Sequence, residues 1–179
     1  MKAAATDEIE LVLAFVNTLN VETGIDELSD PRALRAWLLG QGLLRGGGVG
    51  RSDLDEAKRL REALRALMLA NNGVSVRKEA AVTLNRAARK ARLGVRFEPG
   101  GTAHLEPAAS GVCGALGRLL GVVSATMADG SWERLKACRA ADCQWAFYDH
   151  ARNRSRQWCS MSVCGNRSKA RAYRSRHAV

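Results

Sequence analysis

Four of the five cysteines, Cys138, Cys143, Cys159 and Cys164, form two C-x4-C pairs separated by fifteen residues. Each pair can make a knuckle that presents two sulfurs, and a loop of this size lets the knuckles close a tetrahedron. Four thiolates suit Zn2+, which needs no redox chemistry. In a reducing cytosol the same residues are poor candidates for two structural disulfides. An iron–sulfur cluster also takes four cysteines and stays open as the other metal reading. Four protein ligands leave no position for water or substrate, so the zinc is expected to be structural rather than catalytic. The polar stretch between Asp149 and Gln157 offers no core of its own, and a metal tie of about 10 kcal/mol is expected to order it.

The side chains around these cysteines are those that phosphate requires. Arg152, Asn153, Arg154, Ser155 and Arg156 lie between the pairs, and Asn166, Arg167, Lys169, Arg171, Arg174 and Arg176 follow the last cysteine. Guanidinium forks can hold phosphate oxygens or the O6/N7 edge of guanine, and asparagine can pair with adenine. All eleven are expected nucleic-acid contacts. No Gly or Pro interrupts residues 166–177, so a helix is expected there, with Arg167, Arg171 and Arg174 on one side. Like charges on one helical face repel, and a bound polyanion would relieve that repulsion. Trp145, Phe147, Tyr148, Trp158 and Tyr173 are expected mainly to pack the module, with stacking on unpaired bases as their other role. His150 could replace a cysteine, bond a ligand from outside, lie on the surface or stack on a base.

The charge is segregated along the chain. Residues 1–133 carry 17 Lys/Arg against 16 Asp/Glu, whereas residues 134–179 carry 11 against two, Asp142 and Asp149. A neutral body followed by a cationic segment is the footprint of a phosphate-binding module, although a solvated basic face would show the same balance.

The elements that must position this module are mostly helical. At 179 residues and 46% apolar the chain can bury one ordinary core. Ile9, Val12, Leu13, Val16 and Leu19 give a buried first helix over Asp7 to Asn20. Asp30 and Pro31 start a second, which carries Leu34, Trp37 and Leu38. The glycines at 46–48 and 50 make a loop rather than a phosphate cradle, since no Lys-Ser/Thr pair follows. Ser52 is expected to cap a third helix, whose Leu54, Ala57, Leu60, Leu64, Leu67 and Met68 face a core. A fourth runs from Ser75 through Lys90, and its Arg77, Lys78, Arg86, Arg89 and Lys90 read as a solvated face before a nucleic-acid contact. Residues 95–98 and 103–106 alternate around Pro99-Gly100-Gly101 as a hairpin. An apolar helix follows from Ser110 to Met127, in which Cys113 is expected as a buried small hydrophobe and not a ligand. His104, alone in a strand, is expected to be structural. The longest apolar run, Leu11 to Val16, is too short to span a membrane, and residues 1–7 lack the features of a secretion signal. The expectation is therefore a mainly α (α+β) fold: a helical domain with a short β-hairpin over 1–130, and over 131–179 a four-cysteine, zinc-ribbon-like module ending in a basic helix. A cytoplasmic, nucleoid-associated protein without a membrane partner is expected.

The cysteine motifs also carry a resemblance. Cys138-x4-Cys143 is followed by Trp145-x-Phe147-x-Asp149, Arg152-Asn153-x-Ser155-Arg156-x-Trp158-Cys159-Ser160-Met161 and Cys164-Gly165-Asn166-Arg167-x-Lys169. The stretch Leu135 to Arg176 resembles the CGNR zinc finger. Bacterial proteins of that family carry an amino-terminal ABATE domain, whose landmarks resemble residues 13–19, Ala36-Trp37-Leu38 and residues 60–67. Ala151 stands where serine is usual and Gln157 where a second arginine is common, which removes one hydroxyl and one charge.

The resemblance implies a stress-linked bacterial transcription regulator, in which the finger contacts DNA and the front domain supplies dimerisation or senses a small-molecule effector. An RNA-binding zinc ribbon without promoter specificity is the competing reading, and a redox switch that ejects zinc on thiol oxidation is a regulatory variant. No nucleophile–base pair or phosphate loop points to an enzyme.

Overall fold

The computed structural model describes residues 2–75 and 78–177. Four helices come first: α1 (Lys2–Asn17), α2 (Pro31–Gly40), α3 (Arg51–Ala70) and α4 (Lys78–Ala91). An antiparallel hairpin, β1 (Leu93–Phe97) and β2 (Ala103–Pro107), leads into α5 (Gly111–Ala128). A short 3-10 turn precedes a second hairpin, β3 (Leu135–Ala137) and β4 (Ala146–Tyr148), and a π turn over Met161–Gly165 opens into α6 (Asn166–His177). The mainly α fold with small hairpins and a terminal basic helix is thus the observed one.

Local chemistry accounts for the helix boundaries. The Asp30 carboxylate accepts from the N–H groups of Arg32 and Ala33 at 2.7 and 2.9 Å, so α2 starts at Pro31 as its sequence dictates. Ser52 does not cap α3. Gly50 holds that position, and Asp53 accepts the Gly50 N–H at 2.9 Å, so the carboxylate three residues on supplies the cap. The first helix ends at Asn17, short of the expected Asn20, because Thr18 folds its hydroxyl back onto the Phe15 carbonyl and Leu19 bridges to Asp26. In the fourth helix Arg77 lies outside the described residues. Lys78 and Arg89 are exposed and Arg86 and Lys90 about half exposed, the solvated face expected, and from it Arg86 and Lys90 reach the buried Glu56 of α3 at 3.4 and 3.0 Å.

The core is built from Val12, Phe15 and Val16 of α1, Leu34 and Leu38 of α2, Leu60 and Leu64 of α3, and Leu116 and Leu119 of α5. By length and composition α5 could cross a bilayer. Its apolar character is explained by its neighbours, since it packs against α1, α3, α4 and β2 and half of it is buried. Gly117 permits that packing, because a Cβ there would stand 2.6 Å from the Ala91 Cβ and 2.8 Å from that of Pro107. Cys113 is half-buried rather than buried.

Hairpin β3–β4 belongs to the same core, through Leu135, Ala137 and Ala146. Polar bonds sew it to the helices. Asn71 donates to the carbonyls of Trp132 and Leu135, and the buried Asn72 donates to those of Ala137 and Gln157, each at 2.8–2.9 Å. Arg65, with 2% of its side chain exposed, donates to Val16 and Leu19 at the end of α1 and to Gln144 beyond β3. These bonds satisfy carbonyls that burial would otherwise leave unpaired.

Candidate metal centre and basic surface

Cys138 and Cys143 lie on the loop that joins β3 to β4. In this knuckle the N–H groups of Cys143 and Gln144 both reach the Ala140 carbonyl. Gln144 takes a φ of 50°, unusual for a residue with a side chain, and the Arg65 bond to its carbonyl helps to hold it there. Cys159 precedes the π turn and Cys164 lies within it. Ser160 opens that turn by accepting the Val163 N–H. A Cβ at Gly165 would meet the Sδ of the exposed Met161 at 2.5 Å and Trp158 at 3.3 Å, so those side chains pack directly on its backbone.

All four sulfurs lie within 4.8 Å of one another, with Cys143–Cys159 at 3.6 Å and Cys159–Cys164 at 3.7 Å. These separations are far too long for disulfides. They match the edge of about 3.8 Å in a tetrahedron whose metal–sulfur bonds are about 2.3 Å. Burial pushes the Cys143 thiol up to about 11 and raises Cys159 as well. Burial also acts against the Cys164 thiolate, but there the Arg167 guanidinium, 3.4 Å from Sγ, and the bonds from Cys143, Cys159 and Cys138 together outweigh it, and the net shift is downward. Packed thiols that resist ionisation beside one another fit a site completed by a dication, which stabilises thiolates outright. Phe147, Trp158 and Ala140 enclose the cluster. His150 is not among these ligands; it is exposed and its ring meets that of Tyr148 at a tilt of 56°, with centroids 4.8 Å apart.

The loop of Arg152 to Arg156 has its own tie, between Asp149 of the cysteine motifs and Lys136, to which the sequence assigned no role. Lys136 and Asp149, exposed by 5% and 0% at their side chains, form a 2.8 Å ion pair. The Lys136 ammonium also donates to the carbonyls of Arg154 and Arg156, while Asp149 accepts the N–H groups of Ala151 and Arg156. Burial opposes ionisation of Asp149, yet the Lys136 bond and these N–H groups hold its carboxyl below the usual range. Arg134 adds bonds to the carbonyls of Asp149 and Ala151. The metal is therefore not the only tie on this polar stretch. A cue existed: Asp149 is one of just two carboxylates in the last 46 residues. The other, Asp142, is also a clamp, pairing with Arg171 at 2.9 Å.

The expected contact residues divide into two sets. Arg156 bonds the carbonyls of Trp158 and Cys159 and lies 4.9 Å over the Phe147 ring. Arg154 pairs with Glu133. Arg167 pairs with Glu22 at 2.7 Å as well as touching Cys164, and the Glu22 bond lowers that carboxyl below its ordinary value. Repulsion along α6 is thus relieved from within the molecule, by Glu22 and Asp142. Asn166 bonds the Ser162 carbonyl, and Arg176 bonds Ala172 one turn back. Asn153 accepts from Ser155. Arg152, Lys169 and Arg174 are exposed and, among the described residues, engage no partner. Of the aromatics, Phe147 is buried and Trp158 and Tyr148 half-buried, whereas Trp145 and Tyr173 are exposed.

Known families account for nearly the whole chain. A model described as "CGNR zinc finger" matches residues 134–177. A second, ABATE, described as "Putative stress-induced transcription regulator", matches residues 10–133. No curated protein matches the chain. With the ABATE model covering more than half of its length and the finger following in order, the chain belongs to the ABATE family and carries a CGNR zinc finger.

Proposed function

We propose that this protein is a DNA-binding transcription regulator of the bacterial cytoplasm. Cys138, Cys143, Cys159 and Cys164 would hold a structural Zn2+, which supplies the charge that lets four thiolates share one site. DNA would be met by Arg152, Asn153 and Ser155 from the loop and by Lys169, Arg174 and Arg176 from α6. Arg154, Arg156, Arg167 and Arg171 would position these elements, and Asn166 would brace the start of the helix.

One observation carries the reading. In a module whose other cations are mostly paired internally, Arg152, Lys169 and Arg174 stay exposed and, among the described residues, unpaired. Unpaired surface cations set on ordered elements can exchange counterions for phosphates without first breaking an internal bond. The front domain shares its core with β3–β4, which gives it a physical route to influence the finger and suits an effector-sensing or dimerising role.

The test is a competition by fluorescence anisotropy at matched salt, using zinc-loaded protein, duplexes from its own genome, random duplexes and structured RNA. Preference for one genomic duplex supports the reading. Equal binding of all duplexes contradicts promoter specificity, and preference for RNA makes the module an RNA-binding one.

A further inference from the structure

An open cleft of about 540 Å3 lies where α1 and α2 face the outer edge of β4. Trp37, Trp145 and Tyr148 are among its aromatic lining residues, with Phe147 and His150, and Glu10 and Glu27 are its acidic ones. Both glutamates are exposed and, among the described residues, neither has a cationic or hydrogen-bonding partner at its side chain. Trp145 keeps 39% of its surface exposed. Ala146, also in the lining, has its N–H and C=O already occupied by Asn17. Beside Gln41 and His150, recognition in the cleft therefore falls to the rings and the two carboxylates.

This combination selects its ligand by charge. The carboxylates would repel a phosphate or a nucleic-acid strand. A neutral apolar molecule would cover them without replacing their water, which costs free energy. A cation with an aromatic or alkyl body satisfies both parts, because the faces of indole and phenol rings attract cations and the carboxylates pair with them. The volume is that of a site for a small organic molecule. We propose that this cleft binds an amphipathic organic ammonium ion as the regulator's effector.

The position gives such a ligand a lever. It would touch α1 and α2 on one side and, on the other, Trp145, two residues beyond Cys143. His150, at the entry to the Arg loop, also lines the cleft. The effector role rests on the DNA reading above; binding itself does not.

The test uses the full zinc-loaded chain without nucleic acid. Benzyltrimethylammonium is titrated while the indole N–H resonances of Trp37 and Trp145 are followed by NMR, with benzyl alcohol and benzoate as neutral and anionic comparisons. Saturable shifts of both indoles are expected, with the cation bound at least about ten-fold more tightly than benzyl alcohol, and benzoate weakest. The double variant Glu10→Gln/Glu27→Gln should keep its spectral dispersion and lose about ten-fold in affinity for the cation. If the double variant lost its dispersion, the two single variants, each expected to weaken the cation severalfold, would replace it. Absence of saturable shifts, equal affinity for benzyl alcohol, or unchanged affinity in the glutamine variants would overturn the proposal. Since no nucleic acid is present, its failure would leave the DNA reading standing, and the reverse holds as well.

Discussion

The carboxamide of Asn17, the last residue of α1, bonds both backbone groups of Ala146: Oδ1 accepts the N–H at 2.8 Å and Nδ2 donates to the carbonyl at 2.9 Å. It thereby does for the outer edge of β4 what another strand would do. One side chain of the helical domain closes the sheet of the finger, and Arg65 of α3 and Asn71 and Asn72 just past its end add further bonds to the same hairpin. Zinc finger and helices are built as one packed body.

Asn17→Ala should therefore destabilise the whole chain by about 1–3 kcal/mol, because a donor and an acceptor are left in a partly buried place. Asn72→Ala should cost a similar amount. Thermal unfolding of either variant should remain one transition. Two separated transitions would show that helices and finger unfold independently.

Cys159→Ala should abolish metal binding, measured as zinc per chain by native mass spectrometry, with one expected in the parent protein and none in the variant. Near-ultraviolet signals of Trp158, which packs on the cysteines, should be lost with it. Strong chelation of the parent protein should lower its melting temperature in the same direction.

Arg167→Ala is expected to act first on the metal. The side chain bonds the Cys164 sulfur and is itself held by Glu22, so its loss removes a compensating charge from a ligand. Zinc transfer to a competing chelator should become about 10- to 100-fold more favourable, the usual range for groups that orient metal ligands. Glu22→Gln should shift zinc affinity the same way by less, since the guanidinium stays but is less well placed.

Asp26 supplies a pH signature. Burial alone would raise its carboxyl, but Arg61 and Lys58 prevail and hold it at about 2, from an ordinary 3.8. A depressed carboxylate contributes stability above its unfolded pKa and loses it as pH falls through the folded one. Asp26→Asn should thus cost about 1–2 kcal/mol at pH 7, allowing for partial exposure. In urea titrations the gap between parent and variant should hold down to about pH 4 and close towards pH 2.

Much of this molecule was legible in the sequence because its signals are local. Apolar spacing marked the helices, Asp30-Pro31 marked the start of α2, and the uninterrupted run after Cys164 gave the bounds of α6. The cysteine spacing likewise implied the cluster that the sulfurs form. What stayed hidden depends on residues far apart in the chain. Glu22 meets Arg167 across 145 positions and Asn17 meets Ala146 across 129, and no periodicity records such pairs. The Lys136–Asp149 pair, only 13 apart, was obscured for another reason: a lysine in a basic segment reads as a surface cation, and only burial exposes its role. The eleven polar candidates therefore looked equivalent, and three dimensions separated those that brace the module from those left free.

That separation is tested most directly by the triple variant Arg152→Ala/Lys169→Ala/Arg174→Ala, measured for duplex DNA affinity across a salt series. Zinc content and melting temperature should be unchanged, binding weaker at every salt concentration, and the log–log salt slope shallower by about two to three. Unchanged affinity and slope in a folded, zinc-loaded triple variant would contradict it.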